Sequence, residues 1–132
     1  MKESPPLFLN PVQAGFPSPA EDYIERKLDL NEHLIEHPSA TFFVRVEGDS
    51  MVGSGIHKGD ILIVDRSLEA SNGKIIIAVL NGEFTVKRLK IEGQILWLVP
   101  ENPKFPVLKI EPEWDFQVWG VVTYVIHDVR SC

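Results

Sequence analysis

The sequence predicts a mostly β fold: bent antiparallel sheets, an extended N-terminal arm and one short helix. Three observations carry this. Seven short runs rich in β-branched and aromatic residues follow one another between residues 40 and 126, at the spacing of an all-β barrel or sandwich. Asn81-Gly82 lies between two of these runs and is the strongest two-residue hairpin signal. Five of the ten prolines fall in the first 19 residues. Each fixes φ and removes a backbone donor, so this stretch is neither a helix nor a central strand.

The elements follow in order. Residues 1–20 read as the arm, and residues 21–132 as the β domain. The arm's Leu7, Phe8, Leu9, Val12 and Phe16 are too many apolar groups for a purely solvated tail, so it docks on its own domain or on a partner. Asp29 or Asn31 caps a short helix carrying Leu34 and Ile35, and Pro38 stops it. Phe42, Val44 and Val46 alternate with Phe43, Arg45 and Glu47, which is a strand period. Further strands are expected over residues 61–64, 74–80, 83–91, 94–99, 105–110 and 116–126.

With 132 residues, 44% hydrophobic and 24% charged, the chain has the size and composition of one globular domain. A net charge of −6 disfavours direct nucleic-acid binding, because a surface that neutralises phosphates is basic. No apolar run approaches the length of a membrane span, and residues 1–6 lack the apolar core of a signal peptide. The single cysteine, Cys132, allows no disulfide within the chain, so a reduced, cytoplasmic setting is expected. A terminal position also suits Cys132 poorly for catalysis. Trp97, Trp114 and Trp119 fall in or beside strands and read as core or interface.

Three motifs could carry chemistry. His33-Leu34-Ile35-Glu36-His37 matches an inverted zinc-peptidase pattern, but Pro38 ends the helix at the second ligand, so no metal is expected there. Gly48-Asp49-Ser50-Met51 resembles an esterase nucleophile block. That chemistry needs an Asp-x-x-His partner, whereas Tyr124 precedes His127 by three and His57 has no evident orienting carboxylate. The third possibility pairs Ser50 with a lysine. Ser50 lies in a glycine-punctuated loop over residues 48–59, where backbone N–H groups can converge on an oxyanion. Lys87, inside the strand after Asn81-Gly82, shares a face with Thr85, Leu89 and Ile91. Phe84 and Val86 lie on the Arg88 side, so alternation leaves open which of Lys87 and Arg88 is buried.

Four blocks then carry a resemblance: Ala14-Gly15-Phe16-Pro17-Ser18-Pro19-Ala20, Gly48-Asp49-Ser50-Met51, Gly59-Asp60-Ile61-Leu62-Ile63-Val64-Asp65 and Gly82-Glu83-Phe84-Thr85-Val86-Lys87-Arg88-Leu89. Together they resemble the UmuD-type branch of the LexA-like self-cleaving serine peptidases. The resemblance implies a LexA- and signal-peptidase-like fold of bent antiparallel sheets. It implies Ser50 as nucleophile, Lys87 as general base, the backbone N–H groups of Asp49 and Ser50 as oxyanion hole, and Ala14-Gly15 as the cleavage site. It requires no cofactor. The implied partners are a second copy in a homodimer, a RecA filament on single-stranded DNA that stimulates cleavage in the SOS response, and the Y-family polymerase subunit UmuC in translesion synthesis. A non-cleaving dimeric binding module of the same fold is the alternative. Thirty-five residues separate Gly15 from Ser50, a span of up to about 115 Å when extended, so cleavage within one chain and across a dimer are both open.

Overall fold

Strand β9 (Phe116–Ile126) is the axis of the main sheet, because β4 (Ile61–Asp65) and β5 (Ile75–Leu80) both pair along it. The computed structural model describes residues 4–9, 12, 14–15 and 25–131. The expected arm residues Pro11, Phe16, Pro17 and Pro19, and Cys132, lie outside these. The sheet has seven strands, all antiparallel, in the order β3 (Thr41–Arg45), β4, β9, β5, β6 (Glu83–Glu92), β7 (Ile95–Val99), β8 (Leu108–Lys109).

Two irregularities bend it. Ile63 faces Tyr124 while Val64 faces Val122, which leaves Thr123 extra. Ile77 faces Gly120 while Ala78 faces Val118, which leaves Trp119 extra. An extra residue in one strand of a pair kinks that strand and re-aims a side chain.

Both faces of β5 are covered, which explains its unbroken apolar run rather than an alternating one. Ile77 joins Val46, Met51, Ile56, Leu62 and Val64 in one buried cluster. Ile76 and Ala78 join Leu89, Leu98 and Val121 in another. Asn81 (φ 50°) and Gly82 (φ 87°) make the β5–β6 turn, both in the left-handed conformation that a two-residue hairpin requires.

The mostly β class, the antiparallel pairing and the one short α-helix among the described residues agree with the sequence reading. The strand expected over residues 105–110 is shortened to Leu108–Lys109. Pro106 has no N–H to give a ladder, and Phe105 is held in a turn by its N–H to Asn102 O (3.1 Å).

Chain contacts divide into two units, residues 1–36 and 37–132. In the first, β1 (Pro6–Phe8) pairs antiparallel with β2 (Glu25–Lys27), and Leu28 N–H donates to Pro5 O at 2.8 Å. A proline is tolerated at the first position of such an edge strand. Asp29 caps α1 (Leu30–Leu34) by accepting from Asn31 N–H at 3.0 Å. The second unit holds the seven-stranded sheet.

Candidate active site

The loop after β3 is fixed from beneath by two side chains. Met51 and Ile56 are fully buried in the first cluster, and Ile56 N–H closes back on Met51 O at 3.2 Å. A short 3₁₀ turn, Val52–Ser54, ends at Gly55 in the left-handed conformation (φ 78°). Ser50 immediately precedes the buried Met51, so its position is set by the core although it is itself only half-buried.

Lys87 reaches this loop from β6. Its Nζ lies 3.2 Å from Ser50 Oγ, 2.8 Å from Thr85 Oγ1 and 3.1 Å from Val86 O. Burial lowers the Lys87 pKa from the ordinary lysine value, because a low-dielectric surrounding disfavours the ammonium form. Among the described residues no carboxylate is a hydrogen-bond partner of Nζ to hold the charge.

Arg88, the next residue, is also engaged. Its Nε donates to Glu101 Oε1 (2.6 Å), and its terminal nitrogens donate to Gly73 O (2.6 Å) and Ser54 Oγ (3.0 Å). The guanidinium beside Glu101 holds that carboxyl below its usual pKa. Both residues of the basic pair therefore contact the Ser50 loop or the segment packed on it, which strand alternation alone did not reveal.

That segment follows β7. Glu101 N–H donates to Ser50 O (2.8 Å), Gly53 N–H donates to Glu101 O (2.7 Å), and Asn102 Nδ2 donates to Asp49 O (2.9 Å). The approach is close: a Cβ on Gly53 would lie 2.6 Å from Glu101 O. Among the described residues no protein acceptor meets the backbone N–H of Asp49, Ser50 or Met51. These three successive amides lie next to the serine hydroxyl along the chain and are left with their N–H groups unengaged.

A cleft of about 520 Å³ opens here. Arg45, Glu47, Ser50, Thr85 and Lys87 form its polar part, and Phe42, Val44, Phe84 and Trp119 give it apolar walls. Trp119, the extra residue of the β9 bulge, packs edge-on to Phe42 and Phe84, and Arg66 lies 4.9 Å over its ring. Its Nε1 is buried with no hydrogen-bond partner among the described residues, one unused donor in the cleft wall.

Ala14 and Gly15 are exposed, in a bend of the first unit. In the His33–His37 segment α1 ends at Leu34, so the two histidines do not share a helix face. His37 Nδ1 instead lies 2.6 Å from Asp65 Oδ2.

The sequence reading missed one cluster. The sequence shows no orienting carboxylate for His57, yet Asp60 Oδ2 accepts its backbone N–H (2.8 Å) and lies 3.8 Å from its Nδ1. Asp60 Oδ1 lies 2.5 Å from His127 Nδ1. Burial would raise the Asp60 pKa, but the His127 and His57 hydrogen bonds outweigh it and the carboxyl sits below its usual value. Donor atoms of His57, Asp60 and His127 fall within 4.8 Å of one another, close enough to share a metal ion, although both Asp60 oxygens already have protein partners. The signal was Asp60 three residues after His57; the 67-residue separation to His127 hid the rest. No histidine lies within hydrogen-bond distance of Ser50 Oγ, so a serine–histidine esterase arrangement is absent among the described residues.

Residues 6–123 match the Peptidase S24-like family, and the chain belongs to it. This is a serine peptidase family with LexA-like members. The chain is 49% identical over 131 residues to protein SamA of Salmonella typhimurium, covering 99% of this chain and 91% of that one. It is 47% identical over 128 residues to protein MucA of Escherichia coli, covering 96% and 87%. It is 41% identical over 126 residues to the LexA repressor of Methylococcus capsulatus, covering 94% of this chain and 62% of the repressor. The resemblance to the UmuD-type branch agrees with these relatives.

Proposed function

We propose that the chain is a self-cleaving serine peptidase that cuts its own Ala14-Gly15 bond with Ser50 as nucleophile and Lys87 as general base. The observation that carries this reading is the 3.2 Å contact between Lys87 Nζ and Ser50 Oγ, made by a lysine whose burial favours the neutral amine.

A neutral amine has two N–H donors and one lone pair. Val86 O and Thr85 Oγ1 accept the two donors, and the lone pair is left for the Ser50 hydroxyl. Ser50 Oγ gives its proton to Lys87 Nζ as it bonds to the Ala14 carbonyl carbon. The carbonyl oxygen becomes an oxyanion and is held by the free N–H groups of Asp49 and Ser50. The Lys87 ammonium then protonates the Gly15 nitrogen as the Ala14–Gly15 bond breaks, which releases a new amino terminus at Gly15. Water, deprotonated by the same amine, hydrolyses the Ala14–Ser50 ester and frees residues 1–14. The apolar walls of the cleft keep the amine dry and suit the apolar side chains of an extended peptide.

Cleavage is stimulated by a RecA filament on single-stranded DNA in the SOS response. The shortened homodimer then serves as accessory subunit of the error-prone Y-family polymerase subunit UmuC in translesion synthesis, in the cytoplasm. The family and its LexA and MucA relatives support this setting. The experiment is mass spectrometry after incubation with RecA, ATP and single-stranded DNA. Loss of residues 1–14, abolished in Ser50→Ala, is the expected result; an intact chain under these conditions overturns the reading.

A further inference from the structure

The two carbonyls that flank the Ser50 nitrogen and Cα are both held by one short segment outside the loop. Asp49 O accepts from Asn102 Nδ2 at 2.9 Å, alongside a longer bond of 3.4 Å from Val52 N–H within the loop, and Ser50 O accepts from Glu101 N–H at 2.8 Å. A trans peptide is planar, with its N–H antiparallel to its C=O. Fixing Asp49 O therefore aims the Ser50 N–H the opposite way, and fixing Ser50 O does the same for Met51 N–H. These are two of the three amides that have no protein acceptor. We propose that Asn102 is a positioning residue for the Ser50 amide of the oxyanion site: it sets the plane of the Asp49–Ser50 peptide from outside the loop.

The inference rests on Ser50 as nucleophile and adds a residue that touches neither the hydroxyl nor the amine. The Asn102 side chain is itself oriented. Its Oδ1 accepts from Lys104 N–H (3.0 Å) and its backbone O from Phe105 N–H (3.1 Å), so Nδ2 is the end that faces Asp49. The clamp is anchored to the strand that carries the base, because Arg88 grips the Glu101 carboxylate at 2.6 Å. The chain thus fixes the donors for the oxyanion relative to Lys87 through Lys87's own neighbour.

Two variants test this. Asn102→Asp has the same shape and keeps the bond from Lys104 N–H, but sets an acceptor against the Asp49 carbonyl. Asn102→Ala removes the donor without adding charge. Removing an oxyanion donor outright costs about 10²–10³ in rate, and releasing its peptide plane is expected to lower the limiting alkaline self-cleavage rate at least roughly tenfold in both variants. The pH midpoint of Asn102→Ala, which reports Lys87, is expected to stay in place. The residual dipolar couplings of the ¹⁵N-labelled Ser50 amide are expected to change. Unchanged couplings, a rate within about twofold of the parent, or a midpoint that moves with the rate in Asn102→Ala would overturn the proposal. A parent chain that never cleaves counts against the nucleophile; the couplings still decide the clamp.

Discussion

Thr85 Oγ1 and Lys87 Nζ stand 2.8 Å apart, two positions along one strand and therefore on one side of it. The threonine hydroxyl favours the ammonium more than the amine, since hydrogen bonds to a charged group are the stronger. In Thr85→Val, which keeps the shape, the midpoint of the pH–rate profile is expected to move to lower pH. The alkaline plateau is expected to fall by roughly tenfold, a part of what general-base positioning contributes. Self-cleavage followed by mass across pH 6 to 11 checks both.

The parent profile has a defined sign. Burial lowers the Lys87 pKa, so the rate should climb with pH and level off below the ordinary lysine value of about 10.4. Lys87→Arg should remain inactive throughout, because a guanidinium stays protonated. A rate that falls with rising pH, or an active arginine variant, would contradict the amine as base.

The same burial links stability to pH. Between the lowered folded-state pKa and the ordinary unfolded value, the unfolded chain binds more protons, so the stability of the parent rises with pH across that window. Lys87→Met has no proton to exchange there. Its advantage over the parent should be greatest below the lowered pKa and shrink towards about pH 10.4. Urea unfolding of the two proteins at pH 6, 8 and 10 measures the difference; a gap that widens with pH would refute the burial argument.

Gly120 on β9 has no room for a side chain against β4. A Cβ there would lie 2.6 Å from Val64 Cγ1 and 3.1 Å from Asp65 O. Gly120→Ala is expected to cost about 1–3 kcal/mol, the usual range for overfilling a packed core. Trp119, the adjacent bulged residue, should respond with a shifted fluorescence maximum. Thermal and urea unfolding check the cost, and an unchanged midpoint would show that the strands can part freely.

Local chemistry was legible in the sequence. Asp29 capped the helix, Asn81-Gly82 made the turn, and the strand over residues 116–126 was read to its ends, because each depends on neighbours along the chain. The pairing of Ser50 with Lys87 depended on four motifs together, since a strand period cannot distinguish Lys87 from Arg88. What depended on contact between distant segments was hidden. Nothing in Pro100-Glu101-Asn102-Pro103 beyond a loop signal announces a clamp on Asp49 and Ser50, and His127 gives no local sign of Asp60. The β1–β2 ladder was hidden too, because Pro5 and Pro6 speak against a strand until an edge partner is seen.

That small ladder changes what the proposed reaction would leave behind. Severing the chain after Ala14 would leave Pro6–Phe8, the strand to which Glu25–Lys27 is laced, held by hydrogen bonds alone and free to dissociate. The acceptor of Leu28 N–H, Pro5 O, lies on the same released segment. Once that segment dissociates, the processed molecule would differ from its precursor in more than length: it would carry a raw β edge.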